Sequence, residues 1–510
     1  MAVCETRAAC LLLYSSLVVL SAVACVFIAF ALYIHYLHCK YADFPSPPRD
    51  GFFLGHAPTF FGYRKKGLPL VEAFVDIARE YGPVFNVFMM HMPLVQLFDT
   101  GAVKELLLSN AHLKPYVTYR VFSTVFGTRF LGNGLVSQID PAKHDKMRAI
   151  LNPMFTRKYL VTFVDQFNAS ADVLIEKLSR KADGKTEVAM LDELNRTTLD
   201  VIAKVAFGLD LNATMDEKVP FNKAITSALK GMVYSFDSPL GQFNPLPSAR
   251  RFRQEVRDDI KLLRETGRQC IERRLRAMER QEDVPDDILT HLLHESMQLE
   301  GKDQIQMEEF VDEFVTLFFG GQETTANLLS FCLVELGNHP EIMHRLRTEV
   351  EAVLGDKEHI DISDIAKLTY TMQVLKETLR LWPPVTGAIR QLGHEITVRG
   401  YKIPTGTTVG VSTYGMARME EYFHNPLEFD PDRFKSTDDK PLFAYFPFAL
   451  GSRNCIGQQF AMIEARVLLA KLLRKFHFDL VPGQGYGVKE EITLKPLERC
   501  RNYLRLLDDS

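Results

Sequence analysis

Residues 8 to 39, "AACLLLYSSLVVLSAVACVFIAFALYIHYLHC", hold no Asp, Glu, Lys or Arg. A helix needs about 20 apolar residues to cross a bilayer, so this stretch is long enough. A cleaved signal peptide starts basic and has a shorter core. Here Arg7 is offset by Glu5, and the basic residues follow instead, at Lys40, Arg49, Arg64, Lys65 and Lys66. The positive-inside tendency then puts the large C-terminal body on the cytosolic side. Pro45, Pro47 and Pro48 come next and deny the backbone both helical geometry and N–H donors, which reads as a stiff hinge or a plain linker. Further on, "VFNVFMM" (84–90) and "LVQLFD" (94–99) read as paired strands broken by Pro93. Helical periodicity dominates from about residue 100 to 380 and includes the run "EEFVDEFVTLFFGGQETTANLLSFCLVELGNH". Strand-like pieces return at 394–411 and near 490. The pattern predicts a mostly helical α+β body with small sheets. It divides the chain into an anchor (1–39), a hinge (40–50) and one catalytic-sized unit (51–510).

Composition changes this picture little. The chain has 510 residues, 46% hydrophobic and 24% charged, with a formal net charge of −4. That is ordinary globular usage and gives no electrostatic case for nucleic acid. The cysteines form no C-x-x-C pair and four lie in or beside the apolar segment. Neither a disulfide framework nor a zinc site fits, so reduced thiols on a cytosolic body are the simpler reading. Sequons at Asn168, Asn195 and Asn212 would stay bare in such a body.

The candidate chemistry starts at "FALGSRNCIGQQFA", 448–461. Cys455 sits at the mouth of a predicted helix whose Phe460, Ile463, Val467 and Ala470 share one face. A helix N-terminus favours the thiolate. Gly451 and Gly457 let the backbone approach something flat and large, and Arg453 offers a fixed charge for a carboxylate. A thiolate ligand, a planar partner and a carboxylate together suggest haem; an inert buried cysteine is the bland alternative. The pattern F-x-x-G-x-R-x-C-x-G, here Phe448, Gly451, Arg453, Cys455 and Gly457, resembles the haem-binding signature of the cytochrome P-450 family. Chance would produce it in a chain of this length on the order of once in ten thousand.

That resemblance covers about residues 44–508 and implies the P-450 fold with haem b, Cys455 being the iron ligand. "GGQETT", 320–325, places two glycines inside an apolar helix. Each costs roughly 1 kcal/mol relative to Ala, so they need a reason. Without side chains they leave space on that face, and Thr324 can bond back to the Gly320 carbonyl and bend the helix. The stretch resembles the family's oxygen-activation motif, which makes Glu323 and Thr324 a proton-delivering acid–alcohol pair; a packing Thr is the alternative. In "KETLRLWPP", Glu377 and Arg380 share a helix face. The family pattern makes them a buried structural triad with Arg433 of "FDPDRF". Arg390 matches an arginine that meets a haem propionate. Arg148 matches the arginine of a W-x-x-x-R pattern whose Trp position is His144 here, and a histidine can still donate to a propionate. The implied substrate pocket includes Phe122, Val125, Phe126, Gly320, Val385 and Ile389. Its apolar walls suit a sterol, and equally a fatty acid or xenobiotic.

Several stretches, among them "VFGTRFLGNGLVS" and "VPDDILTHLL", resemble the sterol-hydroxylating members. The reaction implied is insertion of one oxygen atom from O2 into a C–H bond. No G-x-G-x-x-G lies between a strand and a helix to hold a nicotinamide or flavin. Electrons are therefore expected from NADPH through a separate FAD/FMN protein, NADPH-cytochrome P-450 reductase. Its docking face would be Lys143, Lys146, Arg157, Lys158, Lys471, Arg474 and Lys475, against the alternative of a solvated charge run. The expected setting is the endoplasmic reticulum membrane, single-pass and facing the cytosol, with a monomeric catalytic unit and "GMVYSFDSPLGQFNPLP" (231–247) as a membrane-dipping lip. Rival readings are a haem-thiolate isomerase, a haem sensor or electron carrier, and a cofactor-free single-pass interaction protein.

Overall fold

The computed structural model describes residues 2–238, 241–299, 304–436 and 443–507, with side chains from Leu13 onward. The apolar N-terminal run is one helix, Ala2–Lys40, and its stretch Leu13–Lys40 is long and apolar enough to cross a membrane. Most of that stretch is exposed, but one face of its last turns is not. Ile34, Leu37 and His38 are buried, as is Tyr41 just beyond. The His38 ring meets Phe88 and Phe52 edge-on, and the Tyr41 hydroxyl lies 2.8 Å from Thr407 Oγ1. The proline stretch is tied down as well: Asn86 N–H donates to the Pro45 carbonyl (2.8 Å), and the His56 ring bonds the Pro47 carbonyl (2.9 Å). The residues expected as a hinge therefore form a strut between helix and sheet.

A testable consequence follows for truncation. Removing residues 1–39 strips Ile34 and Leu37 from the body, and burial of each such side chain contributes about 1.5–3 kcal/mol. Removing residues 1–30 spares both. The shorter truncation is expected to melt several degrees above the longer one in a thermal-shift assay; equal melting would contradict docking of the helix end.

The strut leans on a four-stranded sheet in the order Val84–Met89, Met92–Leu97, Thr408–Ser412, Gly387–Gln391. The middle pair is parallel and the outer pairs antiparallel. Pro93 does not break the second strand. It lies opposite Phe88 and precedes the parallel ladder, which starts at Leu94 and Thr408, so no partner needs its missing N–H. A second sheet joins Phe476–Leu480, Arg501–Leu506 and Asp183–Ala189, and Val488–Glu491 pairs with Thr493–Pro496 as a hairpin.

Two short hairpins, Thr124–Val125 with Thr128–Arg129 and Ile396–Val398 with Tyr401–Ile403, complete the strands, and most of the remaining body is helical. Met190–Phe207, Thr369–Leu381 and Gln458–Lys475 pack around a long split helix, Met307–Gly321 and Glu323–Asn338. The split falls at Gln322 (ψ −74°), whose carbonyl accepts both a long bond from the Ala326 N–H (3.4 Å) and one from Thr198 Oγ1 at 2.9 Å. Phe460, Ile463, Val467 and Ala470 are buried on one face, as their spacing predicts. Asn168 is buried too, and its amide is bonded to Val164 and Ile360, so the folded chain does not present that sequon to a glycosylating enzyme.

Candidate active site

Cys455 ends a closed loop. Its N–H donates to the Phe448 carbonyl at 2.8 Å, and Asn454 N–H donates to Gly451 O at 3.1 Å. Gly451 has φ +72°, and a Cβ there would lie 2.1 Å from the Leu107 carbonyl. Its smallness therefore serves the close approach of the helix Thr100–Leu108, where the sequence suggested room for a flat group. Gly457 caps the helix Gln458–Lys475, and a Cβ there would meet only the Cys455 Sγ, at 3.9 Å. Arg148 clamps the loop from below. Its Nη1 and Nη2 donate to Asn454 O and Oδ1, both at 2.6 Å, and its Nε donates to Asn152. Burial raises the Cys455 thiol pKa, opposed by the Gly457 N–H and the Arg148 charge. The side chain is nevertheless exposed, opening onto an internal cleft.

Three cations border that region. Arg453 Nη1 donates to the Gln138 carbonyl (2.6 Å), Arg390 Nη1 to its neighbour Ile389 (2.9 Å), and Lys114 Nζ to Val136 O (2.6 Å). Among the described residues none of the three forms an ion pair with a carboxylate; Arg390 is buried, and Lys114 and Arg453 are partly buried. Burial and the two guanidiniums push Lys114 well below its ordinary pKa. Buried unpaired cations are costly, so such a trio calls for anionic partners. His144 is buried beside it, held near 4 by burial and by Arg453 and Lys114, and its Nδ1 is 2.9 Å from Asp145. A neutral imidazole at physiological pH can donate a hydrogen bond without adding charge. An exposed thiol and a cluster of cations lacking carboxylates fit haem b: Cys455 would hold the iron, and Arg453, Arg390 and Lys114 would hold the propionates. Arg148 holds the cysteine loop through Asn454.

On the split helix, Thr324 Oγ1 donates to Gly320 O at 2.8 Å, the bond its spacing predicts. The two glycines differ. A Cβ on Gly320 would meet nothing within 4 Å, whereas one on Gly321 would press on Ile202 at 2.9 Å. Glu323 is buried and turned away from the alcohol: its carboxylate accepts from Thr493 Oγ1 (2.7 Å) and pairs with Lys495 (2.8 Å). The helix pair thus presents an open notch with a hydroxyl at its rim and a carboxylate tied to the hairpin behind.

Comparison with known proteins settles the family. The cytochrome P450 family model matches residues 45–498. The chain is 31% identical to cytochrome P450 4d2 of Drosophila melanogaster, over 85% of this chain and 88% of that one. It is 30% identical to cytochrome P450 72A13 of Arabidopsis thaliana, over 83% and 81%. With cytochrome P450 3A6 of Oryctolagus cuniculus the identity is 26%, over 83% and 84%. The chain belongs to the cytochrome P450 family. Its fold is the P450 fold, and its cofactor is haem b with a cysteine thiolate ligand, reduced from NADPH through a reductase.

Within this P450 the remaining predicted residues scatter. Glu377 and Arg380 are fully buried and bidentate (2.7 and 2.8 Å), and Arg433 Nε reaches Glu377 at 3.3 Å. Phe122, Val385 and Ile389 line a cavity of about 440 Å³. Val125 and Phe126 are instead core residues packed near Gly231, and Gly320 is not among the residues lining that cavity. In the basic face, Lys471 is buried on Asp172, and Arg474 donates to the Gly355 and Lys357 carbonyls. Both are held by the fold, while Lys143, Arg157 and Lys158 are exposed. In the expected lip, Gly231 and Met232 are buried, Phe236, Phe243 and Leu246 are exposed, and residues 239–240 lie outside the described residues. Glu105, His112 and His394 also converge, but His112 Nδ1 accepts the Gly393 N–H at 3.2 Å. That puts the His112 proton on Nε2, facing Glu105, where a metal would need a lone pair.

Lys114, Thr493 and Lys495 were missed at the level of sequence. No local motif marks them; they reach the site only through the tertiary fold. Replacing Lys114 with Met removes one of the cations. The cost of deleting one partner of a buried charge pair starts near 2 kcal/mol, so haem loss to a scavenger such as apomyoglobin is expected to be about thirtyfold faster. An unchanged rate would remove Lys114 from the haem-binding set.

Proposed function

We propose that this P450 is a membrane-anchored sterol hydroxylase resembling cholesterol 24-hydroxylase, with Ala2–Lys40 in the endoplasmic reticulum membrane and the catalytic body in the cytosol. The observation that carries the reaction type is Cys455 in its cleft beside the Lys114, Arg390 and Arg453 cations. Haem supplies oxygen activation and electron transfer when bound. The chain's own residues do the rest. Arg148 and the Gly457 N–H favour the thiolate form of Cys455. Thr324 holds a hydroxyl proton at the edge of the notch opened by Gly320, and Glu323 with Lys495 forms the charged group nearest to it in sequence. The triad of Glu377, Arg380 and Arg433 keeps the approach to the cysteine loop rigid.

The sterol reading is supported by the cavity. Phe60, Phe61, Phe74, Phe122, Val385 and Ile389 give it a broad apolar wall suited to a large lipophile. The docked anchor helix brings it near lipid, and exposed Phe236, Phe243 and Leu246 extend the same apolar edge. The reductase would use Lys143, Arg157 and Lys158. The deciding experiment is reductase-supported turnover of a sterol panel, with product positions read by mass spectrometry. Hydroxylation of cholesterol on its side chain is the expected result. Cholesterol left untouched while fatty acids or xenobiotics are hydroxylated would remove the sterol assignment and leave the P450 reaction standing.

A further inference from the structure

We propose that Arg64, Asp237 and Glu490, at the outer end of the 440 Å³ cavity, form a selectivity site that accepts lipophiles ending in a neutral hydroxyl and turns away those ending in a carboxylate. This rests on the reading of the cavity as the substrate route, and not on the substrate being a sterol.

The three side chains come from three separate elements. Arg64 lies in the last turn of the helix Ala57–Lys65, and Asp237 ends the helix Pro220–Asp237. The two are ion-paired across the opening with 27% and 34% of their side chains exposed, which places the pair at a mouth and not in a closed interior. Glu490, from the strand Val488–Glu491, stands behind them and accepts the Leu70 N–H at 2.6 Å. Its field is felt with those of both Arg64 and Asp237, so the three act as one group.

Charge counting then decides the preference. The group holds one guanidinium against two carboxyls, and the guanidinium is already paired. A carboxylate entering this end meets no free cation and two like-charged neighbours, after giving up its water. A hydroxyl both donates and accepts, so it can bond a carboxyl and the Arg64 N–H together without breaking the pair. Burial pushes both Asp237 and Glu490 upward, Arg64 opposing, which further suits neutral company. The rest of the wall is mainly apolar, so a polar end group is steered to this point.

The test uses hexadecanol and palmitate, which share a chain length and differ at one end. Full-length, haem-loaded protein in detergent is titrated with each, read by the haem spin-state shift and independently by equilibrium binding of the tritiated ligand. The wild-type protein is expected to bind hexadecanol about tenfold or more tightly than palmitate. Asp237→Asn releases Arg64 and is expected to cut that ratio at least tenfold, while Arg64→Gln keeps palmitate excluded. Ratios within one variant cancel any common loss of folded protein. Equal binding of both ligands by the wild type, or a ratio unmoved in Asp237→Asn, would overturn the proposal. Loss of cholesterol turnover with the ratio intact would count against the sterol reading alone.

Discussion

Glu377→Ala is expected to yield little or no haem-loadable protein. The Glu377 carboxylate accepts from Arg380 Nε and Nη2, Arg433 Nε and the Asp430 N–H, all in the interior. The remaining Arg380 donors hold the Ala417, Pro426 and Glu428 carbonyls, and Arg433 holds His424 and Asn425. One carboxylate thereby fixes two arginines, and those arginines fix the segment 417–433 that leads toward the cysteine loop. Removing it strands the buried Arg380 guanidinium and the partly buried one of Arg433, and breaking a buried pair from one side costs about 3–5 kcal/mol. Domain stability is only about 5–15 kcal/mol, so that loss is a large fraction of the margin. The contrast is Arg345→Ala, which breaks a half-exposed pair with Asp432 and should cost no more than about 1 kcal/mol. Urea unfolding followed by far-UV dichroism, with haem content measured beside it, separates the two. Equal midpoints would show that the triad is ornamental.

Cys455→Ser is expected to abolish turnover while leaving the polypeptide folded. The loop does not depend on the sulfur: Phe448 O takes the residue 455 N–H, and Arg148 holds residue 454. Serine preserves the shape but offers a hydroxyl that stays protonated at neutral pH, and so supplies no anionic sulfur to a metal. Product formation with reductase and NADPH should fall at least about a thousandfold, equivalent to roughly 4 kcal/mol of barrier. The thermal midpoint of the haem-free protein should shift by less than about 1 kcal/mol in stability terms. Residual turnover within tenfold of wild type would show that the sulfur is dispensable.

How far these features could be read in advance depended on how local their signals are. The long apolar N-terminal helix, the helix after Cys455 and the Thr324–Gly320 bond follow from spacing within a few turns, and each stands where that spacing puts it. The helix split at Gln322 follows from the same glycines and threonine. Interactions between distant segments were not legible. The strand Arg501–Leu506 pairs with Asp183–Ala189, about 300 residues away, and nothing in either segment names the other. Glu323 was read with its neighbour Thr324, but its ion pair comes from Lys495 on a late hairpin. Arg148 was singled out by its place in a motif, but its bonds to Asn454, 306 residues away, were not legible there. Gly451 shows the same limit: the reason for a glycine there is the Leu107 backbone, which only the assembled fold brings near.

The central claim is that the sulfur of Cys455 holds the haem iron as a thiolate. The most direct measurement is the absorption spectrum of the reduced, carbon-monoxide-bound protein, recorded for the wild type and for Cys455→His. The wild type is expected to show the long-wavelength Soret band of a haem–thiolate, and the variant to show instead the shorter-wavelength band of a haem held by imidazole. A long-wavelength band that persists in Cys455→His would contradict the account.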